Sequence, residues 1–175
     1  MKINKIGRLE GEITVPSDKS ITHRAIMLSC LANGVSHIDN YLDSADCIST
    51  MNAFKAMGVD IVQNGKRLII NGVGLNGLKK PSSDIDAGNS GTTTRLLAGI
   101  LAGQKFNATI IGDESLSLRP MKRIIEPLRQ MGVNVFAKND NYLPLTINPE
   151  KKLKSIDYIS KVASAQVKSC VLFAG

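Results

Sequence analysis

Ala56-Met57-Gly58-Val59-Asp60-Ile61-Val62 decides the fold once it is set beside Gln130-Met131-Gly132-Val133-Asn134-Val135-Phe136. Each stretch reads as a helix end, a glycine suited to the left-handed position that closes it, and a strand that begins at once. The alternation after each glycine suits a half-buried strand. Gly132 follows Gly58 by 74 positions (132 − 58). Each stretch then leads through a turn into a second strand, Arg67-Leu68-Ile69-Ile70-Asn71 and Leu143-Pro144-Leu145-Thr146-Ile147-Asn148.

The start of the unit recurs as well. Ser20-Ile21-Thr22-His23-Arg24, Gly91-Thr92-Thr93-Thr94-Arg95 and Ser164-Ala165-Gln166-Val167-Lys168 each open an apolar helix with a cation in its first turns. Arg95 follows Arg24 by 71 positions, and Lys168 follows Arg95 by 73. The unit therefore reads helix, strand, helix, strand, strand. The spacing predicts helices near 20–32, 45–57, 91–102 and 120–131. It predicts strands near 35–41, 59–63, 67–71, 106–111, 133–137 and 143–148, with a short one near 84–87. A third unit opens near 156–160 and is expected to break off within its first helix. A period of about 70 residues is too long for the common solenoids and points to α/β modules around one core.

Composition narrows the function classes. Of 175 residues, 43% are hydrophobic and 21% charged, which excludes a mostly disordered chain. No apolar run approaches the ~18 residues of a membrane span. Met1-Lys2-Ile3-Asn4-Lys5 is not followed by an apolar signal core, so a cytoplasmic protein with no membrane partner is expected. Lys and Arg outnumber Asp and Glu by 22 to 15, a net charge of +7 that suits acidic partners. With 4 Phe, 3 Tyr and no Trp, a base-stacking platform is poorly supplied, and no nucleic-acid partner is expected. Cys30, Cys47 and Cys170 are widely spaced, and only His23 and His37 accompany them, so no metal site is expected. Cys30 and Cys170 lie in apolar helical patterns, as small buried hydrophobes of a reducing compartment do.

Four turns carry the chemistry. Val15-Pro16-Ser17-Asp18-Lys19-Ser20 ends a predicted strand and opens a helix rich in capping residues, with Lys19 at the mouth and Arg24 one turn inside. Free backbone N–H groups and the positive dipole end suit a phosphate or carboxylate there, although a plain capped helix explains the residues equally. Asp86-Ala87-Gly88-Asn89-Ser90-Gly91-Thr92-Thr93-Thr94-Arg95 is a second such turn and lacks the spacing of a nucleotide P-loop. In Gly112-Asp113-Glu114-Ser115-Leu116-Ser117-Leu118-Arg119-Pro120, Pro120 fits the first helical turn and sets Arg119 at its entrance. Arg119 there can clamp an acid group. Asp113 and Glu114 read as an acid/base pair or, more simply, as turn and capping groups. Ser164-Ala165-Gln166 is the fourth mouth.

Together with Leu42-Asp43-Ser44-Ala45-Asp46, these turns resemble, in content and order, the N-terminal part of the 5-enolpyruvylshikimate-3-phosphate synthase family, in the wording of its bacterial class II branch. The resemblance covers essentially the whole chain. It implies an α/β fold of repeated βαβαββ units, three per domain in two domains, truncated here in the third unit. Residues 1–15 would cross into a second, mostly absent domain, a hinge would fall near Pro16–Lys19, and 16–175 would form an incomplete shikimate 3-phosphate-binding domain. The implied reaction moves the enolpyruvyl group of phosphoenolpyruvate to the 5-hydroxyl of shikimate 3-phosphate, in aromatic amino acid biosynthesis, with no cofactor and a monomeric full-length enzyme.

Residue by residue, the resemblance makes Lys19 the catalytic lysine, shared by both substrates. It gives Ser20, Arg24, Ser164 and Gln166 to shikimate 3-phosphate, and Gly91 and Arg119 to phosphoenolpyruvate. Asp46, Asn89 and Thr92 lie near the cleft, and Ala165 replaces a second serine found in some members. Gly91 implies sensitivity to glyphosate. Because the remaining ligands of the family lie in the later domain, this chain alone is expected to be inactive. The sister UDP-N-acetylglucosamine enolpyruvyl transferases typically carry Lys-Asn where this chain has Lys19-Ser20. A basic nucleic-acid-binding module would instead show a steep salt dependence.

Overall fold

A computed structural model describes residues 7, 8, 10–149, 152–160 and 162–175. The elements run α1 (Lys19–Leu31), β1 (Asn33–Asp39), α2 (Ala45–Ala56), β2 (Asp60–Asn64), β3 (Arg67–Val73), β4 (Ile85–Asp86), α3 (Gly91–Ala102), β5 (Ala108–Ile111), α4 (Glu114–Ser117), α5 (Lys122–Gln130), β6 (Asn134–Lys138), β7 (Tyr142–Asn148) and α6 (Ala165–Ala174).

The repeated glycines close helices in the same way. Gly58 has φ +87 and Gly132 φ +93. Val59 N–H reaches back to Phe54 O, and Val133 N–H to Leu128 O, each at 3.0 Å. Gly58 N–H donates to Lys55 O and Gly132 N–H to Arg129 O, so both helices end in a Schellman motif. At the other ends, Asp18, Ser44, Ser90 and Ser164 cap α1, α2, α3 and α6 through their side-chain oxygens.

Each unit builds its own sheet. In the first, β1 and β2 flank β3, all antiparallel. In the second, β5 and β6 flank β7 in the same way, and β4 adds parallel to β5. Leu68 and Ile70 of β3 and Leu145 and Ile147 of β7 are fully buried, while Val62 and Phe136 face water. Between the layers α3 is the most buried helix, and it packs closely on α6 at Gly99. A Cβ at Gly99 would lie 2.1 Å from Cys170 O, so glycine is what lets the two backbones approach.

Several expectations are corrected. Residues 10–16, expected to pair with a second domain, carry no strand here: Ile13 and Val15 are 84% and 65% exposed, and among the described residues no strand lies alongside them. Residues 156–160, where the third unit is expected to open, have no regular structure, and its helix follows as α6. α4 is an extra turn, started when Asp113 Oδ1 accepts from Leu116 N–H at 2.7 Å. Pro120 consequently stands before α5 rather than in its first turn. Three buried cysteines, Cys30, Cys47 and Cys170, are free thiols, with Cys30 and Cys170 pushed up to about 12 by burial. Among the described residues no helix is long and apolar enough to cross a membrane. No group of three or more His, Cys, Asp or Glu among them could hold a metal ion.

His23 is buried at the centre of this arrangement, and burial pushes its pKa down to about 4. The unfolded chain takes up the proton near 6.5, so stability falls as pH drops from 6.5 toward 4. Unfolding free energy is expected to fall by roughly 2 kcal/mol more between pH 7 and 5 than in a His23→Asn variant. Equal pH slopes in urea titrations of the two proteins would contradict this.

Candidate functional site

The N-terminal ends of α1, α2, α3 and α6 bring most of the sequence-marked residues together. The first join is ionic. Lys19, at the first position of α1, donates from Nζ to Asp46 Oδ2 at 2.8 Å, and Asp46 lies in the first turn of α2. The hydrogen bond and charge of Asp46 raise the Lys19 ammonium above its ordinary value. Lys19 is therefore a standing cation at neutral pH.

A buried chain of polar groups runs behind that pair. His23 Nδ1 lies 2.7 Å from Thr50 Oγ1, Thr50 lies 2.7 Å from Thr93 Oγ1, and Thr93 donates to Ser90 Oγ at 2.7 Å. Thr93 also reaches the Asp46 carbonyl at 3.3 Å. These groups tie α1, α2 and α3 at their mouths. Their signal in the sequence was only an excess of hydroxyls in 90–94, and nothing there marked His23 or Thr50 as their partners.

α6 is fastened by two arginines at equivalent places in the repeat. Arg24 donates from Nη2 to Ser169 Oγ at 2.8 Å and from Nη1 to the Ser20 carbonyl at 3.1 Å. Arg95 donates from Nη1 to Gln166 Oε1 at 2.9 Å, and Gln166 Nε2 donates to Thr92 Oγ1 at 3.0 Å. The role of Arg95 was not assigned from the sequence, although the offset of 71 from Arg24 could have suggested it. Burial lowers the Arg95 guanidinium from its ordinary value, and the charges of Arg119 and Arg123 add to the effect.

The Arg119 turn completes the group. Arg119 Nη2 donates to Asn89 Oδ1 and, at 3.4 Å, to Ser115 Oγ. Asn89 in turn donates from Nδ2 to Asp113 Oδ2 at 2.7 Å. That bond and the Leu116 N–H hold the Asp113 carboxyl below the usual carboxylate range. Asp113 is thus an ionised cap and brace, as the simpler reading of the turn had it, and Glu114 occupies the first turn of α4. Gly91 sits among the cations: a Cβ there would lie 2.7 Å from Arg95 Nη1 and 3.7 Å from Arg119 Nη1. Ser164 caps α6 and lines a small cavity of about 160 Å³ with Arg95, Pro120, Arg123, Gln166 and Val167. Ser20 and Ala165 are exposed at their helix starts.

Lys19, Arg24, Arg95 and Arg119 with four helix mouths form a wall suited to anionic oxygens. A larger open groove, about 840 Å³, lies at the far ends of α1, α3 and α6 and is lined by Leu28, Leu31, Leu75, Leu172 and Phe173. It shares no residue with the polar wall and carries none of this chemistry.

Comparison with known proteins agrees with the geometry. The family model described as EPSP synthase (3-phosphoshikimate 1-carboxyvinyltransferase) matches residues 3–175. The 3-phosphoshikimate 1-carboxyvinyltransferase of Methylococcus capsulatus is 54% identical over 170 residues, which is 97% of this chain and 39% of that protein. Its counterpart in Bacillus velezensis is 51% identical over 176 residues, 100% of this chain and 41% of that one. The structure of EPSP synthase from Acinetobacter baumannii superposes with a TM-score of 0.90 at 46% identity, covering 94% of this chain and 38% of that one. The chain thus spans about two fifths of the length of the curated relatives it matches. By family model, sequence and fold, this chain belongs to the EPSP synthase (3-phosphoshikimate 1-carboxyvinyltransferase) family.

Proposed function

We propose that this chain supplies one wall of a cleft in which an enzyme of family length moves the enolpyruvyl group of phosphoenolpyruvate to the 5-hydroxyl of shikimate 3-phosphate. The observation that carries the reading is that Lys19, Arg24, Arg95 and Arg119 each fasten to residues at or near the mouths of α1, α2, α3 and α6: Lys19 to Asp46, Arg24 to Ser169, Arg95 to Gln166 and Arg119 to Asn89. Both substrates carry phosphate and carboxylate, and fixed cations offset their mutual repulsion.

In this reading Ser20, Arg24, Ser164 and Gln166 hold shikimate 3-phosphate. Gly91 and Arg119 face phosphoenolpyruvate, Lys19 serves both, and Asp46, Asn89 and Thr92 set the geometry of those groups. Over the transfer the 5-oxygen bonds to the enolpyruvyl carbon, the bond from that carbon to the phosphate oxygen breaks, and the 5-hydroxyl proton ends on the released phosphate. Lys19 and Arg119 stabilise the charge that shifts onto the leaving group. Residues 1–15 pair with a second domain, 16–175 form an incomplete shikimate 3-phosphate domain, and the enzyme of family length works as a cytoplasmic monomer open to glyphosate beside Gly91.

The assay is phosphate release from the two substrates. An enzyme of family length carrying this segment is expected to turn over, and the 175-residue chain alone is expected to release none. Absence of release from the long protein would overturn the reading, as would release by the short one.

A further inference from the structure

Like Arg24 and Arg119, and unlike Lys19 with its Asp46, Arg95 forms no ion pair among the described residues. Its guanidinium, half-buried, is used instead for neutral oxygens on two other segments. Nη1 donates to Gln166 Oε1 at 2.9 Å on α6, and Nη2 donates to the Pro120 carbonyl at 3.2 Å, beside Arg119.

A side-chain amide can face a neighbour in either of two senses. A guanidinium can only donate, so Arg95 requires the Gln166 oxygen to face it. The NH₂ then faces Thr92 Oγ1, 3.0 Å away. Without Arg95, the Thr92 hydroxyl, which donates and accepts, would tolerate both senses. The guanidinium reaches its place by passing over Gly91, whose missing Cβ would lie 2.7 Å from Nη1.

We propose that Arg95 is a positioning residue: it fixes the amide sense of Gln166 and braces the turn carrying Arg119, and Gly91 is the bare seat its guanidinium needs. The proposal rests on the reading of Gln166 as a shikimate 3-phosphate ligand. It adds a reason for glycine at 91 that lies within the protein.

The test uses the 175-residue chain with its Gln side-chain amides labelled with ¹⁵N. Without ligand, the two Gln166 amide protons are expected to be well separated and slow to exchange. In Arg95→Met they are expected to collapse toward free-glutamine positions, and in Gly91→Ala, which displaces the guanidinium without removing it, to move the same way. Unchanged Gln166 resonances in either folded variant would overturn the proposal. With ligand, Arg95→Met and Gln166→Ala are each expected to weaken shikimate 3-phosphate binding about tenfold, the size of one charge-assisted hydrogen bond. The double variant is expected to be no weaker than Gln166→Ala, because Arg95 acts through Gln166. Multiplying effects would show that Arg95 meets the ligand itself and would overturn the proposal. Failure of the parent chain to bind would overturn the functional reading alone, since the ligand-free resonances still decide the role of Arg95.

Discussion

In an enzyme of family length carrying this segment, Lys19→Met is expected to lower kcat by on the order of 10²–10³-fold, the range for loss of one preorganised charge-stabilising donor. The geometry gives the reason. Lys19 stands at the mouth of α1, held by Asp46 at 2.8 Å, and that carboxylate raises its pKa. It is charged and aimed before any substrate arrives, so its placement costs little at the moment of reaction. Asp46→Asn is expected to be milder, because the ammonium remains but loses its anchor and its raised pKa. Its activity should fall at a lower alkaline pH than that of the parent. Phosphate release measured across pH separates the two variants. A Lys19→Met enzyme within threefold of the parent kcat would remove Lys19 from the chemistry.

The second large effect is structural in origin and functional in outcome. Gly99→Ala is expected to destabilise the chain by about 1–3 kcal/mol, the usual size of overpacking a close contact. It is also expected to abolish shikimate 3-phosphate binding at concentrations that saturate the parent. The new methyl would meet Cys170 O at 2.1 Å and Cys170 Cα at 3.0 Å. These are backbone atoms, so no rotamer change relieves the clash and α6 must move away from α3. α6 carries Ser164, Gln166 and Ser169, and through them the partners of Arg24 and Arg95. A shift that leaves both sheets intact therefore still takes apart the site. Parent-like melting and affinity in the variant would show that the α3–α6 approach does not hold the site together.

The parts of this arrangement legible in the sequence are those set by local chemistry. Gly58 and Gly132 announced two helix ends because a left-handed residue there has few substitutes. Ser90 and the run after it placed α3 at 91–102, the bounds observed. Asp18 and Ser164 marked two other mouths for the same reason, whereas the Ser44 cap of α2 emerged only in the structure. The shortfalls are non-local. Val15 and Ile13 have the alternation of a strand, but a strand needs a neighbour, and none lies beside them among the described residues. α4 is four residues long, too short for any periodic signal, and depends on the one Asp113 cap. Arg95 was visible as a repeat equivalent of Arg24, yet its link to Gln166 spans 71 positions and emerges only when α6 docks on α3. The His23–Thr50–Thr93 chain was hidden likewise, since a hydroxyl in a helix reads the same whether it faces water or another helix.

The most direct test of the account is a titration of shikimate 3-phosphate into the ¹⁵N-labelled 175-residue chain, followed by backbone amide shifts. The predicted result is saturable binding, with perturbations confined to 19–24, 90–95 and 164–169 and none at the apolar groove lined by Leu28, Leu75 and Phe173. No saturable shift, or shifts centred on that groove, would contradict the assignment of the four helix mouths as the substrate wall.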